Sequence, residues 1–397
     1  MRTLAALAAL AFVGCTAAPP SAATPTPVAS PSPMVTNSAE SKAADFRIRL
    51  DLLLGEHVII IAKESSAPAR QAEYTSYLHL LTTNGADLTE LVRSALGDSV
   101  AARFEQIWSG QNDNLVSYTI GLVTHDKAKS DRAIAGIAGT FIPQFSQFLS
   151  DLTQIPTNQI VLLLTRNMLE MRQMLNDQFA GSYQRLYDDI RSLYSHATEV
   201  GDTVAPGITG KFPDKFPGNA TSPAANLRVS LNINWQEHSY LGTMRTSAAI
   251  GGRSTEQAAA TNALAQNANA LEATFTDLFG ASLATRFDAV WAAGNAATIG
   301  YASASTAAQK QRALGELTDA SVAQLSGWLL DSTGLVADVS RPALEAQLEA
   351  VITVIDDQRS RSWSRLASDD RSAETATEVV ADLVSAAAIA KLPARFG

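Results

Sequence analysis

Apolar residues recur along most of this chain at spacings of three, four and seven, the period of an amphipathic helix. In "SVAARFEQIWSGQNDNLVSYTIGLV", Val100, Phe104, Ile107, Trp108, Leu115 and Tyr118 share one face. In "AGSYQRLYDDIRSLYSHATEVGDTV", Tyr183, Leu186, Tyr187, Ile190, Leu193 and Tyr194 do the same. Start signals precede such runs: Asp98 and Ser99 after Gly97, and Pro156-Thr157 before "NQIVLLLTRNMLEMRQMLND". Prolines are nearly absent from the periodic segments and collect at their edges, because a helix interior has no place for a residue without an N–H. One stretch is ambiguous. "FRIRLDL" and "LRVSLNI" alternate apolar and polar residues as a half-buried strand does. Read as a helix, Phe46, Leu50, Leu54, His57 and Ile61 form one stripe, and Leu227, Leu231, Trp235, His238 and Leu241 form nearly the same one. The helical template accounts for more residues and leaves no isolated strand unpaired, so both segments are predicted helices.

The pattern is written twice. "FRIRLDLLLGEH" (46–57) matches "LRVSLNINWQEH" (227–238), and "LGDSVAARFEQIW" (96–108) matches "FGASLATRFDAVW" (279–291). "LNDQFAGSYQRL" (175–186) matches "IDDQRSRSWSRL" (355–366), and "KFPDKF" (211–216) matches "KLPARF" (391–396). Four blocks in one order, each about 180 residues apart, are the mark of a tandem duplication with short loop insertions. The expected architecture is all-α: two tandem, homologous antiparallel helical bundles at 38–216 and 225–397, joined by a linker at 217–224 rich in Gly, Pro, Asn and Ser.

The N-terminus has a different character. "MRTLAALAALAFVGC" is a short positive region followed by an apolar run too short to span a bilayer and ending in small residues. A cut before Cys15 removes a leader at 1–14, and this arrangement resembles the lipobox of bacterial lipoproteins, although Phe12 stands where leucine is usual. The resemblance implies a diacylglycerol on the Cys15 thiol, an acyl chain such as palmitate on its amino group, and an extracytoplasmic protein anchored to a bacterial membrane. Cys15 is the only cysteine, so no internal disulfide can form. The segment at 15–37 holds six prolines among Ala, Ser and Thr with no charge, a composition that cannot bury a core and is expected to act as a disordered, extended tether.

A net charge of −9 with no Lys/Arg-rich stripe excludes nucleic acid as a partner. The chain has no His-Glu-x-x-His, Cys-x-x-Cys, Gly-x-Ser-x-Gly or phosphate-binding Gly-Lys-Ser/Thr motif, and no Glu-x-x-His pairs of the di-iron bundles. What recurs is a Glu-His pair, Glu56-His57 and Glu237-His238, within the two predicted helices. Neighbouring helical residues point about 100° apart, so the pair is no self-contained dyad. The four residues are candidate metal ligands or acid/base groups, weighed against core histidines bonded to a neighbouring helix. His79, His125 and His196 have no histidine counterpart in the second half. Trp108 and Trp291, Tyr118 and Tyr301, and Arg103 and Arg286 are retained pairs expected to serve the core or its ion pairs. The repeat resembles tandem helical repeats of bacterial cell-envelope proteins without an assigned activity. The expected function is a membrane-anchored, non-enzymatic binding or scaffold module, with a metal-binding bundle using the Glu-His pairs as the alternative.

Overall fold

A computed structural model of the protein describes residues 38–67 and 71–396, and among these there are helices and turns but no strand. The leader, Cys15 and the tether expected at 15–37 lie outside the described residues. The first half runs through α1 (Lys42–Ser66), α2 (Gln71–Leu96), α3 (Asp98–Val123), α4 (Lys127–Gly136), α5 (Ile142–Thr153), α6 (Thr157–Ala180) and α7 (Tyr183–Lys211). The second runs through α8 (Pro223–Ile250), α9 (Ser254–Phe279), α10 (Ala281–Ser303), α11 (Ala307–Thr318), α12 (Leu325–Thr333), α13 (Ala337–Ser360) and α14 (Trp363–Lys391), with a final turn, α15 (Pro393–Phe396). A π-helical segment links α4 to α5 (Ile137–Phe141), and another links α11 to α12 (Asp319–Gln324). The same succession therefore occurs twice.

The repetition extends to the caps. Ser41 and Ser222 open α1 and α8, their side chains accepting from the N–H groups of Ala44 at 3.2 Å and Ala225 at 3.1 Å. Gly97 and Gly280, with φ of +93° and +86°, make the corners into α3 and α10, a backbone region that side chains rarely tolerate.

The described residues pack as one compact unit. α1 lies at its centre against α7, α2, α6 and α8, while α8 holds the matching place among α14, α9, α13 and α1. Of the 25 residues of α1, 20 are buried. A helix covered on all sides needs no polar face, so its sequence carries no clean helical period and could mimic a strand's alternation. The cluster around Leu53 and Tyr187 also takes in Tyr240, Leu241, Met244, Leu264 and Val354, so the core continues from one half into the other. Close approach of α1 to α7 depends on two glycines. A Cβ on Gly55 would lie 2.6 Å from the Tyr194 ring, and one on Gly201 would lie 1.9 Å from Asp51 Oδ1.

The halves are joined by crossed ion pairs. Glu56 on α1 accepts from Arg371 on α14, with Arg371 Nε at 2.8 Å and Nη2 on the second oxygen. Glu237 on α8 accepts from Arg191 on α7, with Nε at 2.9 Å and Nη2 at 3.3 Å. These are equivalent residues of the repeat, so each half supplies the arginine that holds the other half's glutamate. An asparagine from the same half completes each site: Asn84 Nδ2 donates to Glu56 at 2.8 Å and Asn267 Nδ2 to Glu237 at 2.7 Å. Both glutamates are buried.

A second equivalent pair, Arg47 and Arg228, ties the start of each half to the other. Arg47 reaches Asp202 within its half, then the Ala220 carbonyl and Asn226. Arg228 reaches Asp382, then the Ala39 carbonyl and Asp45.

Removing one partner of a buried, hydrogen-bonded pair leaves the other charge without compensation, at a cost of about 3–5 kcal/mol. Arg371→Ala is therefore expected to lower the unfolding free energy by about that amount, and Glu56→Gln in the same chain to restore part of it. Urea titration of the single and double variants measures both. A single variant within about 0.5 kcal/mol of the parent would mean that the crossed pairs do not hold the halves together.

A cavity beside His238 as the candidate functional site

The Glu-His pair divides its work. The glutamates face the arginine and asparagine donors of the junction, while the histidines turn into the aromatic core of their own half. His57 packs on Trp108 with ring centroids 5.0 Å apart, and His238 packs on Trp291 at 4.3 Å. His57 Nε2 lies 2.9 Å from Asn112 Oδ1, so this nitrogen carries the proton and donates. Burial pushes the His57 pKa down to about 4, against weaker upward pulls from Asn112 and Glu56. Burial first, and then the charge of Arg245, bring His238 down to about 3. Both imidazoles are neutral at physiological pH. Among the described residues no group of three or more His, Cys, Asp or Glu side chains is arranged to hold a metal ion.

The other retained pairs make matching contacts in the two halves. Tyr118 donates to Asn176 at 2.8 Å, and Tyr301 donates to the equivalent Asp356 at 3.1 Å. Arg103 pairs with Asp151 at 3.5 Å, and Arg286 with the equivalent Asp331 at 2.6 Å. Trp108 and Trp291 are buried against the equivalent Phe104 and Phe287, while their other ring neighbours differ, Phe145 in the first half and Trp235 in the second. These residues build the scaffold twice.

The halves differ beside the second histidine. A cavity of about 90 Å³ opens there between α8, α10, α11, the π-helical segment Asp319–Gln324, α12 and α13. Its wall includes the apolar side chains of Leu317, Leu344, Leu348 and Val351 and the polar ones of His238, Ser239 and Asn295. Its origin is legible residue by residue. Where the first half has Ile61, Gln111, Leu115, Met168 and Met171, all buried, the second has Gly242, Gly294, Thr298, Leu348 and Val351. A Cβ added at Gly242 would meet nothing within 4 Å, so the missing Ile side chain is not replaced by a neighbour.

Polar atoms have been left over at the same place. Asn295 occupies the position of Asn112, but His238 Nδ1 has no hydrogen-bond partner, nor have Ser239 Oγ and Trp291 Nε1. Trp108 Nε1 and Gln111 Oε1 are likewise unpartnered in the first half, so it is the histidine and the serine, not the indole, that distinguish the second. Buried polar atoms usually find a protein or water partner. A pocket that gathers several of them against apolar walls has the make-up of a small-ligand site. Sequence reading placed His238 on the right helix but missed Gly242, Gly294 and Thr298, whose meaning appears only when each is compared with its first-half counterpart.

Because His57 is protonated less readily in the folded chain than in the unfolded one, the unfolded state binds more protons below pH about 6.5. Its contribution is therefore absent above that pH. It then weakens the fold by up to about 1.4 kcal/mol per pH unit as the pH falls towards the folded value. His57→Gln is expected to flatten the acid limb of stability against pH by about one proton, read from urea midpoints between pH 6.5 and 4. An unchanged slope would show that His57 titrates normally. Compared with protein-family models, curated proteins and solved structures, the chain matches none.

Proposed function

We propose that the chain is a lipid-anchored extracytoplasmic binding protein without catalytic activity. Its body arose by duplication of a helical bundle, and its second bundle captures a small ligand. The observation that carries binding is the cavity. One of two otherwise matched cores has exchanged bulky side chains for Gly242, Gly294 and Thr298, and the opened space meets unpartnered polar atoms. Random loss of packing would cost stability, since large-to-small changes in a core cost about 2–5 kcal/mol when the cavity stays open. A ligand that fills the space would offset that cost when bound.

The anchor reading rests on the leader and Cys15, which resemble a lipobox, and on the Pro-rich segment after them. Among the described residues no helix is long and apolar enough to cross a membrane, so attachment in this reading falls to the lipid on Cys15. The membrane is then a partner through the anchor alone, and the acidic surface keeps nucleic acid away.

Two measurements test these statements separately. Expressed in a bacterium with its leader, the full chain is expected in the membrane fraction, and Cys15→Ser is expected to release it. Equal partitioning of the two chains would remove the anchor from the reading. For binding, Gly242→Ile restores the first-half residue. It is expected to raise stability by about 1–2 kcal/mol through helix propensity and apolar burial. Ligand-observed NMR with a mixture of molecules of about four to five non-hydrogen atoms is expected to show broadening with the parent chain and none with Gly242→Ile. Identical spectra with both chains would end the proposal that the cavity binds.

A further inference from the structure

The charge next to the cavity narrows what it can hold. Arg245 follows His238 and Gly242 along α8 and is 5% exposed. Its Nη2 donates to the main-chain carbonyl of Asn295, a residue of the cavity wall, while its Nε has no partner. Among the described residues Arg245 forms no ion pair, in contrast to Arg47, Arg191, Arg228 and Arg371, each of which meets at least one carboxylate. Burial alone brings its pKa down to about 10, so it remains charged at neutral pH. A buried cation without a counter-charge is costly unless something supplies one.

Three further facts point the same way. Arg245 acts electrostatically on His238, which lines the cavity, so its charge is felt there. No Asp or Glu belongs to the cavity wall. The first-half counterpart of Arg245 is Glu64, so the unpaired cation belongs to the second half, as do the small residues Gly242, Gly294 and Thr298 of the cavity wall, which stand where the first half has Ile61, Gln111 and Leu115.

We infer that the cavity binds a small monocarboxylate, its apolar tail against Leu344, Leu348 and Val351 and its carboxylate towards His238, Asn295 and the Arg245 charge. This rests on the cavity being a binding site. Size sets the tail. A cavity of roughly 150 Å³ accommodates the six carbons of benzene, so one of about 90 Å³ suits about four to five non-hydrogen atoms, as in acetate or propionate. The neutral His238 imidazole can offer an N–H or accept one according to its tautomer, and the Ser239 hydroxyl can donate.

The test titrates the full chain calorimetrically with propionate, its neutral isostere propionamide and propylammonium. Propionate is expected to bind about tenfold or more tighter than propionamide, and propylammonium not to bind. Arg245→Gln, which keeps a donor but removes the charge, is expected to weaken propionate about tenfold and leave propionamide unchanged. Gly242→Ile is expected to abolish both. Equal binding of propionate and propionamide, or propionate binding that survives Arg245→Gln, would overturn the anion assignment. If Gly242→Ile still abolishes binding in that case, the cavity remains a site for neutral molecules. Failure of all three molecules to bind would overturn the carboxylate assignment, and an equal response of the parent and Gly242→Ile to the wider mixture would overturn the binding reading with it.

Discussion

Two buried carboxylates, Glu56 and Glu237, set the terms for the rest of the molecule. Each sits on the helix at the centre of its half, where water is excluded, and each is held by an arginine from the other half and an asparagine from its own. A carboxylate in such a place is tolerable only while every partner is present. Neither half can satisfy its own glutamate. The crossed arrangement therefore makes the two halves interdependent, and it agrees with the apolar core that runs from Leu53 to Val354 without a break. Two additive ion pairs on the surface would have had no such consequence, because exposed pairs contribute little.

This dependence also explains what the sequence could and could not reveal. Helices were legible from their apolar period, and the repeat from four matching blocks. The Glu-His pair stood out because both copies retain it. Its partners did not. Arg191 and Arg371 occupy equivalent positions, so the alignment reveals that both are retained but not whether each serves its own half or the other. Only the packing of α7 against α9 and of α14 against α2 resolves that. The alternation in "FRIRLDL" misdirects for a related reason. α1 is enclosed by both halves, and a helix buried on every side loses the polar face that would have identified it.

The same comparison separates residues that make the same contacts in both halves from residues that differ between them. Trp108 and Trp291, Arg103 and Arg286, and Tyr118 and Tyr301 make matching contacts twice, which is what a scaffold requires. The second half departs from the first in a connected patch: Gly242 for Ile61, Gly294 for Gln111, Thr298 for Leu115, and Arg245 for Glu64. These positions are spread over α8 and α10 and are far apart in the chain. They converge beside His238 because the helices bring them there, and no single stretch of sequence displays the change.

A retained scaffold is what permits such a departure. Emptying part of one core removes apolar contacts and leaves polar atoms unpartnered, each a loss to stability. The second half nevertheless keeps its aromatic cluster around Trp235, Phe275, Phe287 and Trp328 and its place in the crossed junction. The first half buries Ile61, Met168 and Met171 at the matching positions, and the shared junction couples that core to the second. Interdependence thus works in the cavity's favour: the folding energy of one half supports a weakened region in the other. A buried guanidinium without a carboxylate follows the same logic. It is tolerable in a body held together elsewhere, and it leaves an unmet electrostatic demand beside a cavity with room to meet it.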